Sequence, residues 1–322
     1  MSYQKDIIIG TRGSRLALWQ ANHVKEQLEA AGFRCTIKTI ETKGDKILDV
    51  ALSKIGSKGI FTEEIESQLA EGNIHIAVHS AKDLQSELAD QFELLAILER
   101  EKPNDVIISM NPEFILEDDP GITVGTSSTR RIAFLKRYYP KVKIVEARGN
   151  LQTRIKKLEE GHADALILAY AGVHRMEYDH LIVAELSAEE FVPPTGQGSV
   201  AIECAKNLDI SLKNAISTVL HHSASGLCVF VERAFLKTMQ GGCSIPVFCH
   251  AVLGEKSLTV TGGLMSLDGK IILKETKSSP AISFDKKEMA MAENIAVELA
   301  HKILNHGGRE LLYNIRQTIN QS

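Results

Sequence analysis

The sequence has no segment that could cross a membrane and no recognisable export signal. Residues 1–6 contain no apolar signal core, and the longest apolar run without a charge, residues 165–173, is far shorter than the roughly 20 residues that span a bilayer. The formal net charge of −4 is small, whereas a general nucleic-acid binder would be strongly basic. We therefore expect a cytoplasmic protein that binds neither membrane nor nucleic acid.

Cysteine is scarce and irregularly spaced. The five cysteines form an odd set without C-x-x-C spacing, so neither a disulfide framework nor a structural zinc site is indicated. Histidine gives no metal site either, because the pair His221 and His222 lacks a third ligand at metal-binding spacing. We predict that four cysteines are small buried hydrophobes: Cys35, Cys204, Cys228 and Cys249. Cys243 differs, because two preceding glycines permit a tight, exposed loop on which its thiol could be nucleophilic.

Nucleotide-binding motifs are absent or weak. Residues 56–59 (GSKG) lack the spacing of a Walker loop, and residues 196–198 (GQG) are a poor match to a dinucleotide-binding motif. The chain has no internal repeat at a solenoid period and no low-complexity segment. We therefore expect a folded protein without a nucleotide cofactor.

The periodicity of apolar residues predicts α/β domains. A buried strand at 7–10 is followed by a helix that Gly32 ends and by a second strand at 35–40. This strand-helix-strand unit predicts a parallel sheet covered by helices. Further units begin with strands predicted at 74–78, 122–124, 142–145 and 165–169. Two polar, proline-bearing stretches, 99–105 and 191–197, could be paired crossings between two such domains, which would form a double hinge.

The last third of the chain has a different pattern. A helical segment at 229–239 precedes short strands, with a hairpin turn signal at Asp268-Gly269, and a long helix stops before Gly307-Gly308. The strands are predicted at 246–253, 258–265 and 271–276. This order of helices and short strands predicts an α+β domain. A separate domain is expected because 322 residues exceed what one hydrophobic core usually accommodates. The predicted domains are 1–99 with 198–217, then 104–193, then 220–322.

Arginine is concentrated at the predicted turns from strand to helix. Seven of the thirteen arginines lie at or just after such turns: Arg12, Arg15, Arg130, Arg131, Arg148, Arg154 and Arg175. Free N–H groups at a helix start attract anions, and a guanidinium adds bidentate hydrogen bonds to carboxylate or phosphate. At any single turn, Ser and Thr could simply cap the helix beside an exposed arginine. For all the turns together, a ligand with several anionic groups is favoured, because ligands of open α/β sheets bind at the carboxyl ends of strands.

An acid and a lysine-rich stretch are expected at the same edge. Asp83 follows the strand that ends at Val78, and among so many cations its carboxylate would stay ionised, fit to stabilise a developing cation or transfer protons. Taken alone, Asp83 is as well explained as an ordinary acid near a helix start. Residues 44–59 are spaced by glycines, carry several lysines and resemble a mobile lid, although a solvated surface loop is the favoured explanation when the stretch is taken alone.

Seven motifs occur in order along the chain. They are 10–17 (GTRGSRLA), 42–45 (TKGD), 58–61 (KGIF), 78–83 (VHSAKD), 125–131 (GTSSTRR), 148–154 (RGNLQTR) and 232–246 (ERAFLKTMQGGCSIP). Their combination resembles the porphobilinogen deaminase family, also called hydroxymethylbilane synthase, over essentially the whole chain. The resemblance implies an α/β fold, with two periplasmic-binding-protein-like α/β domains joined by a double hinge, plus a C-terminal α+β domain.

The resemblance also implies a transferase with a covalent cofactor. Cys243 would hold a dipyrromethane through a thioether, and four porphobilinogen molecules would be deaminated and added to it in turn before hydrolysis releases hydroxymethylbilane. Asp83 would contact pyrrole nitrogens, assist the loss of ammonia and stabilise a cationic azafulvene-like intermediate. Porphobilinogen would be the small-molecule partner, with no metal and no obligate protein partner, and the enzyme would be a monomer.

Other residues would bind the carboxylates of cofactor and substrate. By the resemblance, the cofactor would be held by Ser80, Lys82, Thr126, Ser128, Arg130 and Arg131. The substrate would be bound by Arg12, Ser14, Gln20, Lys54, Lys58, Phe61, Arg148 and Arg154, with Phe61 stacked on a pyrrole ring. The chain departs from the family at Ala81, where methionine is usual, and at Gln85, where proline is usual. We expect these departures to affect pocket shape and turnover rate more than the reaction itself.

Two other functions fit parts of the pattern. A non-catalytic anion-binding protein of the two-domain periplasmic type shares the architecture, but it would normally carry an export signal and would have no use for a Gly-Gly-Cys loop. A cysteine-nucleophile hydrolase needs a base beside Cys243, and His250, seven residues away on a predicted strand, is a poor candidate.

Overall fold

Two five-stranded sheets form most of the first two thirds of the chain. The structure, a computed structural model, describes residues 6–46, 62–242, 244–280 and 286–321. The first sheet has the strand order β2-β1-β3-β10-β4, and the second has the order β7-β6-β8-β5-β9. We call the parts built on these sheets lobe 1 and lobe 2.

Lobe 1 contains the predicted strand-helix-strand unit. Its strands are β1 (Asp6–Thr11), β2 (Arg34–Thr39), β3 (Ile76–Ser80), β4 (Phe92–Ile97) and β10 (Val200–Ala205). Its helices are α1 (Arg15–Ala30), α2 (Lys43–Lys46), α3 (Glu63–Ala70) and α7 (Ile210–Leu220). β1 pairs in parallel with β2, and α1 buries Val24 and Leu28 in the core that also holds Ile7 and Ile9. The apolar stripe of α1 recurs at helical spacing, so one face of the helix covers the sheet.

Lobe 2 repeats this arrangement with shorter strands. Its strands are β5 (Asp105–Ile108), β6 (Thr123–Gly125), β7 (Lys143–Val145), β8 (Ala165–Ala169) and β9 (Ile182–Glu185). Its helices are α4 (Thr129–Tyr138), α5 (Leu151–Glu159) and α6 (Tyr170–Arg175). Phe134 of α4 is fully buried against the rings of Phe191 and Phe248. Because Phe248 belongs to the third domain, this aromatic cluster also joins lobe 2 to that domain.

Both sheets are mixed, which corrects the prediction of parallel sheets. β10 pairs antiparallel with β3 and β4, and β5 pairs antiparallel with β8 and β9. Each of these strands is the first one after the chain crosses from one lobe to the other. The crossing chain enters a sheet at the edge where the parallel strands end, so its next strand must run in the opposite direction.

The third domain is a three-stranded antiparallel sheet packed against helices. It contains α8 (Ser223–Thr238), β11 (Val247–Leu253), β12 (Ser257–Met265), β13 (Ile272–Pro280), α9 (Lys286–Ile303) and α10 (Arg309–Gln321). The sequence analysis missed α10, because Gly307 and Gly308 indicated only the end of a helix. Gly307 has a φ of +98° and kinks the chain, after which α10 continues. The α/β fold class, with a double crossing and a C-terminal α+β domain, is confirmed by this architecture.

A buried glutamate of the third domain holds both crossings. Glu232 of α8 is fully buried and accepts hydrogen bonds from Arg100 in the first crossing (2.6 Å) and from the backbone N–H of Gly196 in the second (2.7 Å). It also accepts the backbone N–H of Ala251 on β11, at 2.8 Å. A buried carboxylate satisfied by three donors fixes its partners firmly, so the third domain sets the relative position of the two crossing segments.

The cysteines of the described segments behave as predicted. Cys35, Cys204, Cys228 and Cys249 are buried and unpaired. Burial raises the pKa of the Cys35 and Cys228 thiols to about 11 and that of Cys204 to about 12. These four thiols therefore stay protonated and unreactive at neutral pH. Among the helices of the described ranges, none is both long and apolar enough to span a bilayer.

Candidate active site between the lobes

The turns after the parallel strands of the two lobes lie close together, and we call the region between them the cleft. β3 leads into the single helical turn Ala81–Asp83, and β6 leads into the start of α4. The charges of Asp83, Asp105, Arg131 and Arg154 all act on the Lys82 ammonium. Side chains from the two lobes are therefore close enough to share one electrostatic environment, as expected for the carboxyl ends of strands.

The turn of lobe 1 presents two charged side chains to the cleft. Lys82 and Asp83 are exposed, whereas Ala81 and Leu84 on either side are buried in an apolar cluster. The backbone N–H of Ala81 donates to Ser199 O at 2.9 Å. The turn is thus fixed by its apolar residues and its backbone, and the lysine and the aspartate are left available to a ligand.

Lys82 is a perturbed cation. Its side chain is accessible to solvent from the cleft, yet protein surrounds the ammonium on the remaining sides. This desolvation lowers the pKa of Lys82 to about 8; Asp83 and Asp105 oppose the change, and Arg131 and Arg154 add to it. Below this pKa the side chain is a poorly solvated cation, and an anionic ligand would compensate for the lost hydration.

A buried aspartate organises the two arginines at the start of α4. Asp105, fully buried at the start of β5, accepts hydrogen bonds from Arg130 Nη2 at 2.5 Å and from Arg131 Nε and Nη2 at 3.2 and 2.8 Å. Gln197 of the second crossing adds a further hydrogen bond at 3.0 Å. Burial alone would raise the pKa of Asp105, but the two guanidinium groups outweigh it and hold the pKa well below its usual range. The carboxylate is therefore ionised and fixes the orientation of both arginines.

The two arginines point in different directions. Arg130 donates to Val192 O at 3.0 Å and lies over the ring of Phe134, so it faces the interior of lobe 2. Arg131 donates to Ile167 O at 3.1 Å, and its charge acts on Lys82 and Arg154. Arg131 is thus the member of the pair nearer to the cleft. Both are only 5% exposed, which the sequence pattern did not indicate.

Arg148 and Arg154 flank the start of α5. Arg148 Nε donates to the Glu146 carboxylate, and Arg154 Nε donates to Gly149 O at 2.9 Å. Desolvation first, and then the charge of Arg131, lowers the pKa of Arg154 to about 10, while Asp83 opposes the change. Arg154 forms no salt bridge within the described segments, so it is a largely desolvated cation that can accept a carboxylate ligand.

The hydroxyl residues at these turns cap helices. Ser14 accepts the N–H of Ala17 at the start of α1 (3.3 Å), and Ser128 accepts the N–H of Arg131 at the start of α4 (3.5 Å). Thr126 Oγ1 accepts the N–H of Ser128 at 3.3 Å. The simple capping interpretation therefore holds for Ser14 and Ser128, and it leaves their hydroxyl protons free to donate to an anion.

Two further predicted residues pair with each other in lobe 1. Buried Gln20 of α1 donates from Nε2 to Ser80 Oγ at 2.9 Å, which links α1 to the end of β3. Arg12 lies half-buried directly after β1. All three residues lie at the carboxyl ends of the lobe 1 strands or on the helix that follows β1.

Several of the residues singled out from the sequence lie outside the described segments or away from the cleft. Lys54, Lys58, Phe61 and Cys243, and most of the expected lid at 44–59, lie outside the described residues. Of the two departures from the family, Ala81 is buried in an apolar cluster with Leu84 and Val229 rather than in the wall of the cleft. Gln85 donates weakly to Thr62 Oγ1 at 3.4 Å.

Sequence reasoning missed the residues that support the arginines. Asp105 was assigned to a crossing, although an acid at the head of the apolar run 106–108 could have indicated a buried ion pair. Gln197 was considered only as part of a weak dinucleotide motif. Their partners lie 25 to 92 residues away in the sequence, and no local pattern records such contacts.

Fold and site together define a two-lobed α/β protein whose cleft combines one exposed carboxylate with several desolvated cations. Residues 7–213 match the family model of the porphobilinogen deaminase dipyrromethane cofactor-binding domain, and residues 226–305 match that of the C-terminal domain. The chain belongs to the porphobilinogen deaminase family. It is therefore a transferase, a hydroxymethylbilane synthase, with dipyrromethane as its cofactor.

Curated relatives match over their full length. A porphobilinogen deaminase of Cytophaga hutchinsonii is 52% identical over 319 residues, which cover 99% of each chain. One from Desulfosudis oleivorans is 47% identical over 313 residues, covering 97% of this chain and 98% of the relative. The non-catalytic alternative gains no support from these matches.

Solved structures of other proteins resemble this chain less closely than the curated relatives do. The VFT2 domain of Bordetella pertussis BvgS, as a double mutant, is 15% identical with a TM-score of 0.42 and covers 66% of this chain and 86% of that one. An ancestral arginine-binding protein bound to arginine is 14% identical with a TM-score of 0.40, and the match covers 66% of this chain and 90% of that protein. Neither likeness bears on function.

Proposed function

We propose that this chain deaminates porphobilinogen and joins four molecules head to tail on a dipyrromethane attached to Cys243, releasing hydroxymethylbilane, and that the interlobe cleft is the site of this reaction. The observation that carries the proposal is the exposed Asp83 carboxylate in a cleft with Lys82, Arg131 and Arg154. Each porphobilinogen carries two carboxylates and develops positive charge as ammonia leaves. The cations of the cleft can bind the substrate carboxylates, and the Asp83 carboxylate can stabilise the developing positive charge.

Asp83 is the catalytic residue in this proposal. Its carboxylate lies on a turn that is fixed by buried neighbours, so it can stay in place while the substrate changes charge. A fixed anion beside the pyrrole nitrogen stabilises the cation that forms when the amino group departs as ammonia. The same ionised carboxylate can also accept the proton that the pyrrole carbon loses once the new carbon–carbon bond has formed.

The arginines and hydroxyl groups bind acetate and propionate side chains. Arg154 is desolvated and lacks a carboxylate partner in the described segments. Arg148, Arg12 and Ser14 extend the cationic edge along the turns of both lobes, and Gln20 acts through Ser80. Lys54 and Lys58 would add cations from the segment 47–61, and Phe61 would stack on a pyrrole ring.

The residues of lobe 2 fit a dipyrromethane with several carboxylates. Arg130 uses two of its five N–H donors in hydrogen bonds and Arg131 uses three, so both retain donors in orientations that Asp105 fixes. The buried Ser127 Oγ has no hydrogen-bond partner among the described residues, which leaves a polar group available at this turn. Lys82, Thr126, Ser128 and Ser80 complete the proposed cofactor contacts. When bound, the cofactor supplies the pyrrole carbon to which the first substrate is joined.

The remaining expectations are part of the same proposal. The domains are 1–99 with 198–217, 104–193 and 220–322, and the enzyme works as a monomer in the cytoplasm without an obligate protein partner. Size-exclusion chromatography with light scattering measures the oligomeric state directly.

Intact-protein mass spectrometry tests the proposal. The purified protein is expected to exceed its sequence mass by one dipyrromethane, and Cys243→Ala should lack both the excess and the activity. Cys35→Ala is the matched control, because Cys35 is buried in lobe 1 and its loss should leave the excess mass unchanged. An unmodified wild-type protein that turns over porphobilinogen would contradict the proposal.

A further inference from the structure

Helix α8 of the third domain supports the loop that carries Asp83. Arg233 Nη2 donates to the backbone carbonyl of Ser86 at 3.2 Å. One turn earlier, Val229 packs in the same apolar cluster as Ala81 and Leu84. One turn later, Lys237 forms a 2.7 Å salt bridge with Glu87. The catalytic loop is therefore held along one face of a helix from a different domain.

The three contacts differ in strength. Both side chains of the Lys237–Glu87 pair are about 60% exposed, so solvent screens the interaction and it contributes little. Arg233 is half-buried, and burial lowers the pKa of its guanidinium whereas the charge of Glu203 raises it. A charged donor to a backbone carbonyl away from bulk water is a stronger and more directional interaction. Of the two polar contacts that α8 makes with the loop, the one made by Arg233 is therefore the stronger.

Glu203 gives Arg233 a buried counter-charge. Glu203 on β10 is fully buried, and neither of its carboxylate oxygens has a hydrogen-bond partner among the described residues. His79 Nε2 lies 3.0 Å from Glu203 Oε2 without meeting hydrogen-bond geometry. A buried carboxylate without hydrogen bonds is costly unless positive charge compensates it. The guanidinium of Arg233 acts on this carboxylate at longer range, without a salt bridge among the described residues, while its N–H binds the catalytic loop.

The same helix also leads to the proposed anchor of the cofactor. α8 ends at Thr238, five residues before Cys243, and Glu232 beside Arg233 holds both crossings. A single rigid helix therefore connects the anchor loop, the crossings and the Asp83 loop.

We propose that Arg233 is a positioning residue for the deamination, because it fixes the Asp83 loop against helix α8 through the Ser86 carbonyl. This inference rests on the proposed catalytic role of Asp83. Arg233 itself contacts a backbone carbonyl rather than the reacting atoms, so its effect must appear in how well Asp83 is placed.

The first test is Arg233→Met, which keeps an unbranched apolar stem of similar bulk to that of arginine and removes the guanidinium donors. The variant should carry the full dipyrromethane mass, since the anchor cysteine is intact. Its kcat per cofactor-loaded enzyme should fall about 10- to 100-fold, the cost of misplacing a catalytic group, while KM changes less than about 2-fold because the carboxylate-binding side chains are untouched. Lys237→Gln is the matched control on the same helix and should retain wild-type kcat.

A second variant separates positioning from charge compensation. In Arg233→Met, Glu203 loses a counter-charge, which could lower stability and activity together. Arg233→Met/Glu203→Gln removes that buried charge. If Arg233 positions the loop, the double variant regains thermal stability but its kcat stays low. Recovery of kcat in the double variant, or a normal kcat in fully loaded Arg233→Met, would overturn the inference.

The activity of the Asp83→Asn variant distinguishes a failure of this inference from a failure of the proposed function. If Asp83→Asn is inactive while Arg233→Met is fully active, the positioning role is wrong and the proposed function stands. If Asp83→Asn is active, the assignment on which the inference rests is wrong.

Discussion

The two lobes share one strand order but use buried charge in different ways. In each, the fourth strand of the sheet enters from the other lobe, runs antiparallel and carries a fully buried carboxylate: Asp105 on β5 and Glu203 on β10. Asp105 lies at the cleft end of its strand and accepts four hydrogen bonds, three of them from Arg130 and Arg131. Glu203 lies in mid-strand and accepts none among the described residues.

This difference corresponds to different tasks. Lobe 2 has a saturated network in which a buried acid fixes two cations before any ligand arrives, an arrangement suited to carboxylate binding. Lobe 1 presents the acid Asp83 at the surface, and the buried charge behind it depends on His79 and on Arg233 from the third domain. Lobe 2 is therefore organised within itself, whereas the catalytic side of lobe 1 depends on a neighbouring domain.

The largest effect on turnover is expected at Asp83. Asp83→Asn should keep the fold and the cofactor, because the side chain is exposed, but should lower kcat about 10²- to 10³-fold because a neutral amide stabilises a cation poorly. Steady-state kinetics on protein of verified mass measures this. Asp90→Asn, an exposed acid beyond the same loop, is the control and should behave as wild type. Near-normal turnover in Asp83→Asn would remove the catalytic role from lobe 1.

The next effect concerns the stability of lobe 2. Asp105→Asn leaves two buried guanidinium groups without their counter-charge, so the free energy of unfolding should fall by about 3–5 kcal/mol. Urea denaturation of the holoenzyme measures the change. Because the pKa of Asp105 is lowered on folding, the stabilisation of the wild type is present above the unfolded pKa, near 3.8, and is lost as pH falls below it. The variant should lack this loss at acid pH.

The corresponding substitution in lobe 1 sharpens the comparison. Glu203→Gln removes a carboxylate that has no hydrogen bond to lose, and the relief of its desolvation offsets the lost attraction to Arg233, so the free energy of unfolding should change by less than about 1 kcal/mol. A loss equal to that of Asp105→Asn would show that Glu203 is as well satisfied as Asp105, and the contrast between the lobes would be wrong.

Local patterns predicted the parallel strand-helix units and the C-terminal strands, but they missed the inserted strands β5 and β10 and the long-range partners. Ser14 and Ser128 could be identified as helix starts because a cap and its helix are adjacent in sequence. The direction of β5 and β10 could not be predicted. Every residue of these short strands is buried, so the sequence shows no alternation from which the neighbouring strands could be inferred. The arginines at the turns were found from position alone, whereas Asp105, Glu232 and Arg233 act through contacts with residues 19 to 147 positions away.

The smallest effect is the pH dependence of substrate binding through Lys82, a proposed cofactor contact that is also close enough to the proposed substrate contact Arg154 to interact with it. Its pKa of about 8 means that the side chain is charged at neutral pH and loses its charge as pH rises through 8. For a contact worth at most about 1 kcal/mol in an open cleft, KM should rise about 2- to 5-fold between pH 7 and 9 as the cation disappears. Lys82→Arg keeps its charge over this range, so its KM should stay flat. The charged groups Asp83, Asp105, Arg131 and Arg154 surround position 82 in both proteins. If the KM of Lys82→Arg rises with pH as much as that of the wild type, another group titrates, and carboxylate binding would be assigned to lobe 2 alone.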